Sequence, residues 1–203
     1  MPTAIARLVA VSLVALSIPA PALAGAQIYE PLADSVRSAL SAAVSDRSPL
    51  ALNFARIEDG IRWLSEMSRR LAKQVPDSSV RLQLLKAVHY EATRAGLDPQ
   101  FVLGVIDVES GFRKYAVSRA GARGYLQVMP FWVKLIGRPS DNLFHLRSNL
   151  RYGCVILRHY LDVEKGDYIR ALGRYNGTLG KSDYPRRVMS AWKGRWHYNG
   201  PTA

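Results

Sequence analysis

Cysteine occurs once in the 203 residues, at Cys154, so no disulfide can form within the chain. The thiol falls on an apolar helical face and reads as buried and inert. Long apolar runs are missing too. Leu8 to Ile18 is too short to span a bilayer and no stop-transfer pattern follows it. Acidic residues are scarce, 16 against 28 lysines and arginines, which leaves a formal charge of +12. His89, His145, His159 and His197 show no metal-ligand spacing, so no metal and no other cofactor is expected. The chain has no Gly-x-Ser-x-Gly elbow, which gives no hint of a nucleophile triad. It also lacks internal repeats, low-complexity tracts, strand candidates and any recognisable nucleic-acid-binding motif.

What is present begins with a leader. Arg7, the apolar run and Ala22-Leu23-Ala24 read as a secretory signal over residues 1–24, cleaved before Gly25. Retention as an N-terminal anchor stays open. Export together with a basic charge points to an anionic partner, either a cell-wall polymer or a membrane surface, rather than to nucleic acid.

Beyond the leader the periodicity is helical throughout, and the fold class is all-α. Residues 26–48 carry two faint helical patterns, expected to form a mobile or loosely docked leader. Leu52, Ile57, Ile61, Leu64, Met67 and Leu71 recur at helical spacing up to the break at Pro76-Asp77-Ser78-Ser79. A helix over about 79–95 turns Leu84, Leu85, Val88 and Ala92 inward. Glu91 borders that stripe beside Arg94 and reads as a solvated, charge-paired residue. An apolar helical segment is expected over Leu126–Ile136, after a Gly-, Ser- and Arg-rich loop. The pattern from Leu146 to Val163 is the firmest helix, with Leu150, Gly153, Cys154, Leu157, Tyr160 and Leu161 on one face and Gly153 small enough to admit another backbone. Two further helices follow, one capped by Asp167 and stopped at Asn176-Gly177, the other running from Tyr184 to Trp192.

One short helix carries a carboxylate at its end. Asp98 suits the N-cap, Pro99 the first helical position and Gly111 a left-handed stop. At about 100° per residue, Val102, Val105 and Ile106 fall within roughly 60° of Glu109, so the acid takes the place of the next aliphatic. Withdrawn from water, such a carboxyl keeps its proton to higher pH and becomes a proton donor. The alternative is an end-of-helix glutamate with its head in solvent. Asp107 is turned roughly 200° away.

Four stretches carry a resemblance: Glu109-Ser110-Gly111-Phe112; Ser118 with Gly121-Ala122-Arg123-Gly124-Tyr125-Leu126-Gln127-Val128-Met129-Pro130; Asn149 with Gly153; and Ala171 with Tyr175-Asn176-Gly177. In this order and spacing the chain from about 80 to 192 resembles the soluble lytic transglycosylases, lysozyme-like enzymes that cut peptidoglycan in the bacterial periplasm. The resemblance implies a lysozyme-like helical domain at 79–198, preceded by an N-terminal helical extension at 25–78.

It also implies a single catalytic acid, Glu109. That acid protonates the oxygen between N-acetylmuramic acid and N-acetylglucosamine, then acts as base while the sugar's own 6-hydroxyl closes onto C1 to leave a 1,6-anhydro end. No second acid stands in the four stretches except Asp107, whereas a two-carboxylate glycosidase needs one about 5 to 9.5 Å away.

By resemblance Ser118, Gln127, Met129, Tyr175 and Asn176 bind substrate. Each also has a plainer reading: a loop serine, a structural amide, a core methionine, a packed tyrosine with one polar tip, and a helix stop. Tyr125-Leu126 and Gly177-Thr178 depart from the family's more usual Leu-Met and Ala-Gly, and Tyr125 offers an aromatic that could stack on a sugar. The implied partners are peptidoglycan glycan strands, met by a periplasmic monomer, with peripheral membrane or secretion-complex contact left open. A water-using muramidase and a non-catalytic wall-binding scaffold remain the rival readings.

Overall fold

The computed structural model describes residues 27–45, 48, 52 and 54–200, among which the chain forms eight α-helices and no strand. The expected signal at 1–24 lies outside the described residues. In order the helices are α1 (Asp34–Ser45), α2 (Ile57–Leu71), α3 (Ser78–Arg94), α4 (Pro99–Ser110), α5 (Phe131–Ile136), α6 (Leu146–Val163), α7 (Tyr168–Asn176) and α8 (Asp183–Lys193). Only isolated bridges, Val117 to Arg123 and Arg123 to Val128, add extended pairing. No described helix is long and apolar enough to cross a membrane.

The helix starts follow from their caps. The Asp77 carboxylate accepts from the backbone N–H of Ser79 and Val80, Asp98 from Gln100 at 2.7 Å, and Asp167 from Arg170 at 3.0 Å. Each satisfies donors that a helix start leaves unpaired. Gly111 and Gly177 close α4 and α7 in the left-handed region, with φ of 56° and 73°.

α4 is the centre of the fold. Every residue from Pro99 to Ile106 is buried, so the helix is covered on all sides rather than along one stripe. α8 lies closest to it: a Cβ added to Gly104 would stand 3.1 Å from the Trp192 backbone nitrogen. α6 buries its expected face together with Val155 and Ile156, and burial pushes the Cys154 thiol well above its usual range. Gly153 makes room for a side chain rather than a backbone, since its Cβ would meet Leu126 Cδ1 at 2.3 Å.

Three expectations are corrected. In α2, Ile57 and Ile61 are 76% and 58% exposed, while Gly60, Trp63, Met67 and Leu71 face inward. The large Trp63 ring sets that face: it packs edge-on against His89, and its Nε1 donates to Gln100 Oε1 at 3.3 Å. Residues 27–45 are docked rather than loose, because α1 packs on α5 and α6 through Leu40, Ala43 and the buried Val44. Helix α5 begins only at Phe131. Leu126 gives its N–H to Asn149 Oδ1, and Gln127 has a φ of 47°, so the chain from 126 to 130 turns instead of winding.

Candidate active site

Glu109 sits in the last turn of α4 and is 3% exposed. The Tyr184 hydroxyl, from the first turn of α8, donates to its Oε1 at 2.6 Å. Burial pushes the Glu109 carboxyl up from 4.5 to about 7, while Tyr184, Asn176 and the positive charge of Arg187 pull the other way. Loss of hydration therefore outweighs three groups that favour the anion. Asn176 stands close enough to act on the acid without completing a hydrogen bond, since its Nδ2 and Glu109 Oε2 are both buried without a partner. A carboxyl that titrates near neutrality can both give and retake a proton.

The other acids of this region are engaged. Asp107 faces away, where its Oδ2 accepts from Trp196 Nε1 at 3.0 Å and pairs with Arg195 at 3.2 Å. Glu91 is charge-paired as expected but not solvated. It is fully buried and accepts from Arg151 at 2.9 Å and Arg94 at 3.2 Å, with Arg147 3.6 Å away. The apolar interior between α3 and α6 admits a carboxylate only because these cations surround it.

The remaining expected residues divide between the surroundings of the acid and the scaffold. Asn176 acts on Glu109, whereas Tyr175 only feels the charge of the acid, and its hydroxyl donates to the Leu126 carbonyl at 2.6 Å. The hydroxyl that meets the acid is Tyr184's, which the sequence reading missed. No local mark ties Tyr184 to a residue 75 positions away. The one available sign was Gly104 inside a helix, which marks a close approach there.

Ser118 pins a turn, its Oγ accepting from Ala122 N–H at 3.0 Å. Gln127 is buried, and its amide donates to the carbonyls of Ala116 at 3.1 Å and Gly124 at 2.9 Å. Both amide protons serve the loop, which is the structural role left open above. Tyr125 is also buried, at 4% exposure, so its ring is packed inward rather than offered to a sugar. Met129 is partly buried, and its backbone N–H donates to Gln27 Oε1 at 3.2 Å. Asn149 knits this loop to α6 by accepting from Leu126 N–H at 2.8 Å and donating to the carbonyls of Arg123 at 2.8 Å and Leu143 at 2.9 Å.

This arrangement has counterparts. The transglycosylase SLT domain matches residues 86–193, from within α3 to the end of α8. A transglycosylase of Enterobacteria phage PRD1 is 31% identical over 115 residues, 53% of this chain and 42% of the phage protein. A membrane-bound lytic murein transglycosylase C from Mannheimia succiniciproducens is 34% identical over 97 residues, 43% of this chain and 26% of that protein. Its namesake from Actinobacillus pleuropneumoniae is 48% identical over 48 residues, 24% of this chain and 13% of that protein. The matched stretches span less than half the length of these relatives.

Proposed function

Since this chain belongs to the transglycosylase SLT domain family, we propose that it is a lytic transglycosylase that cleaves the β-1,4 bond between N-acetylmuramic acid and N-acetylglucosamine in peptidoglycan and leaves 1,6-anhydromuramic ends. The observation that carries this reading is the Glu109 carboxyl, buried, held near neutral proton affinity and touched by the Tyr184 hydroxyl.

Protonated Glu109 donates to the glycosidic oxygen as the bond to C1 breaks. The resulting carboxylate then takes the proton of the muramic 6-hydroxyl as that oxygen bonds to C1. The proton lost in the first half of the reaction is recovered in the second, so no water is consumed and the acid is ready again. Tyr184 orients the carboxyl and stabilises its anion between the two halves. Because Asp107 is tied to Arg195 and Trp196, it is unsuited to serve as a second catalytic carboxylate. The substrate's 2-acetamido group supplies assistance at C1 instead.

Residues 79–198 form the catalytic unit in this reading, residues 25–78 a helical extension that buttresses it, and residues 1–24 a cleaved signal that delivers a monomer to the periplasm. Asn176, Tyr175 and Met129 line the glycan site, while Ser118 and Gln127 shape its loop.

Replacing Glu109 by Gln keeps the side chain's size and removes the transferable proton. Turnover should fall by at least three orders of magnitude while sedimentation with purified wall sacculi persists. Mass spectrometry of the wild-type digest should find muramic ends one water lighter than hydrolysed ends. Full-mass ends would instead identify a hydrolytic muramidase, and unchanged turnover in the Gln variant would remove Glu109 from the chemistry.

A further inference from the structure

The acid is too well covered to work as it stands. A group that must touch a glycosidic oxygen is 3% exposed, with its Oε2 buried and unpartnered among the described residues. Tyr184 and Asn176 belong to helices locked into the core, so neither is free to open a path.

The segment before α1 is built differently. Gln27 is buried against the residues beside the acid: its Oε1 accepts the Met129 N–H at 3.2 Å, its Nε2 is buried without a partner, and its amide acts on the Tyr175 hydroxyl. Tyr29 and Glu30, further along, are held from outside. Tyr29 meets the Phe131 ring edge-on at 5.8 Å, and Glu30 pairs with Arg174 at 3.0 Å while its side chain stays 49% exposed. Ile28 and Tyr29 are themselves 59% and 56% exposed. Arg174 keeps a second carboxylate partner in Glu164, so losing Glu30 leaves no cation stranded.

We propose that Gln27 to Glu30 form a strap that lies across the glycan site and must lift before a strand reaches Glu109. Its one buried anchor is chemically apt, because the Gln27 side chain ends in a carboxamide, the group that a 2-acetamido sugar presents. The strap thus occupies a donor, the Met129 N–H, that a glycan's N-acetyl group would use. Its hold is one side-chain hydrogen bond, one ring edge and one exposed ion pair, few enough to be displaced by substrate.

This inference rests on the reading of Glu109 as the glycosidic acid, and its test uses binding rather than turnover. Chitotetraose, an uncharged tetramer of N-acetylglucosamine, is titrated by calorimetry into the full chain carrying Glu109→Gln, with and without Gln27→Ala and Glu30→Ala. If the strap competes for the site, the apparent affinity is reduced by the fraction of open molecules, and removing both anchors should tighten binding roughly tenfold. Glu30→Ala alone, at an exposed position that spares the fold, should give a smaller gain in the same direction. Equal, weaker or absent binding in the double variant overturns the strap. Failure of the wild type to cleave wall glycan, or unchanged cleavage by Glu109→Gln, would refute the catalytic reading and leave this comparison standing.

Discussion

At Glu109 burial raises the proton affinity and a hydrogen bond restrains it. Burial alone drives the carboxyl upward, and the Tyr184 hydroxyl is the first of the groups that restrain it. In Tyr184→Phe that restraint goes, so the proton is held to higher pH. Wall-glycan cleavage by the protonated acid should then persist further into alkali, with the alkaline limb of kcat/KM moved up by about one pH unit and kcat lowered. A pH–rate profile of the two proteins checks both the sign and the size; an unmoved limb would mean that Tyr184 does not act on the acid. The place of Glu109 on an apolar stripe allowed burial but left a solvent-facing head also open, and the structure buries it. The identity of its partner was not foretold, because Tyr175 and Tyr184 look alike in sequence and only tertiary packing directs the first to Leu126 and the second to the acid.

The elements were most legible where a cap marks them. Asp77, Asp98 and Asp167 start helices and Gly111 and Gly177 stop them, each for a reason visible within four residues. The chain from Leu126 to Pro130 was misread as helix because its hydrophobic spacing fits one. What prevents winding is Asn149, far along the chain, and a left-handed Gln127 that no glycine announces. Gly124 is packed so close that an added Cβ would stand 2.4 Å from Asn149 Nδ2, which shows how tightly the amide is enclosed. Asn149→Ala removes three bonds and strands buried backbone groups, so it should cost about 3 kcal/mol and loosen the loop that presents Met129. Urea unfolding measures the loss; a change under 1 kcal/mol would show that water replaces the amide. The exposed face of α2 was misjudged for a similar reason, since Ile57 and Ile61 fit the spacing but Trp63 has the larger surface to bury.

Across the whole molecule, charge is distributed in two ways. Much of the basic excess faces solvent, but Glu91 carries a cluster of arginines into the junction of α3 and α6. Arg151 is 4% exposed there and depends on that one carboxylate. Glu91→Gln keeps the volume and leaves the guanidinium uncompensated, for which a loss of about 3 to 5 kcal/mol is expected. Thermal unfolding would register it as a large fall in Tm, and a variant melting with the wild type would mean that the pair contributes little. Composition told the sign of the charge and the pattern told the helices, but neither could tell that an acid between arginines would lie inside.

The contact between Gly104 and Trp192 reaches further than packing. α4 carries the acid and α8 carries the tyrosine that restrains it, and the separation of the two is fixed by a position with no side chain. A single methyl group there would act as a shim between the two helices where they approach most closely. The seating of the helix that carries Glu109 is thereby gauged five residues upstream, by an atom that is absent.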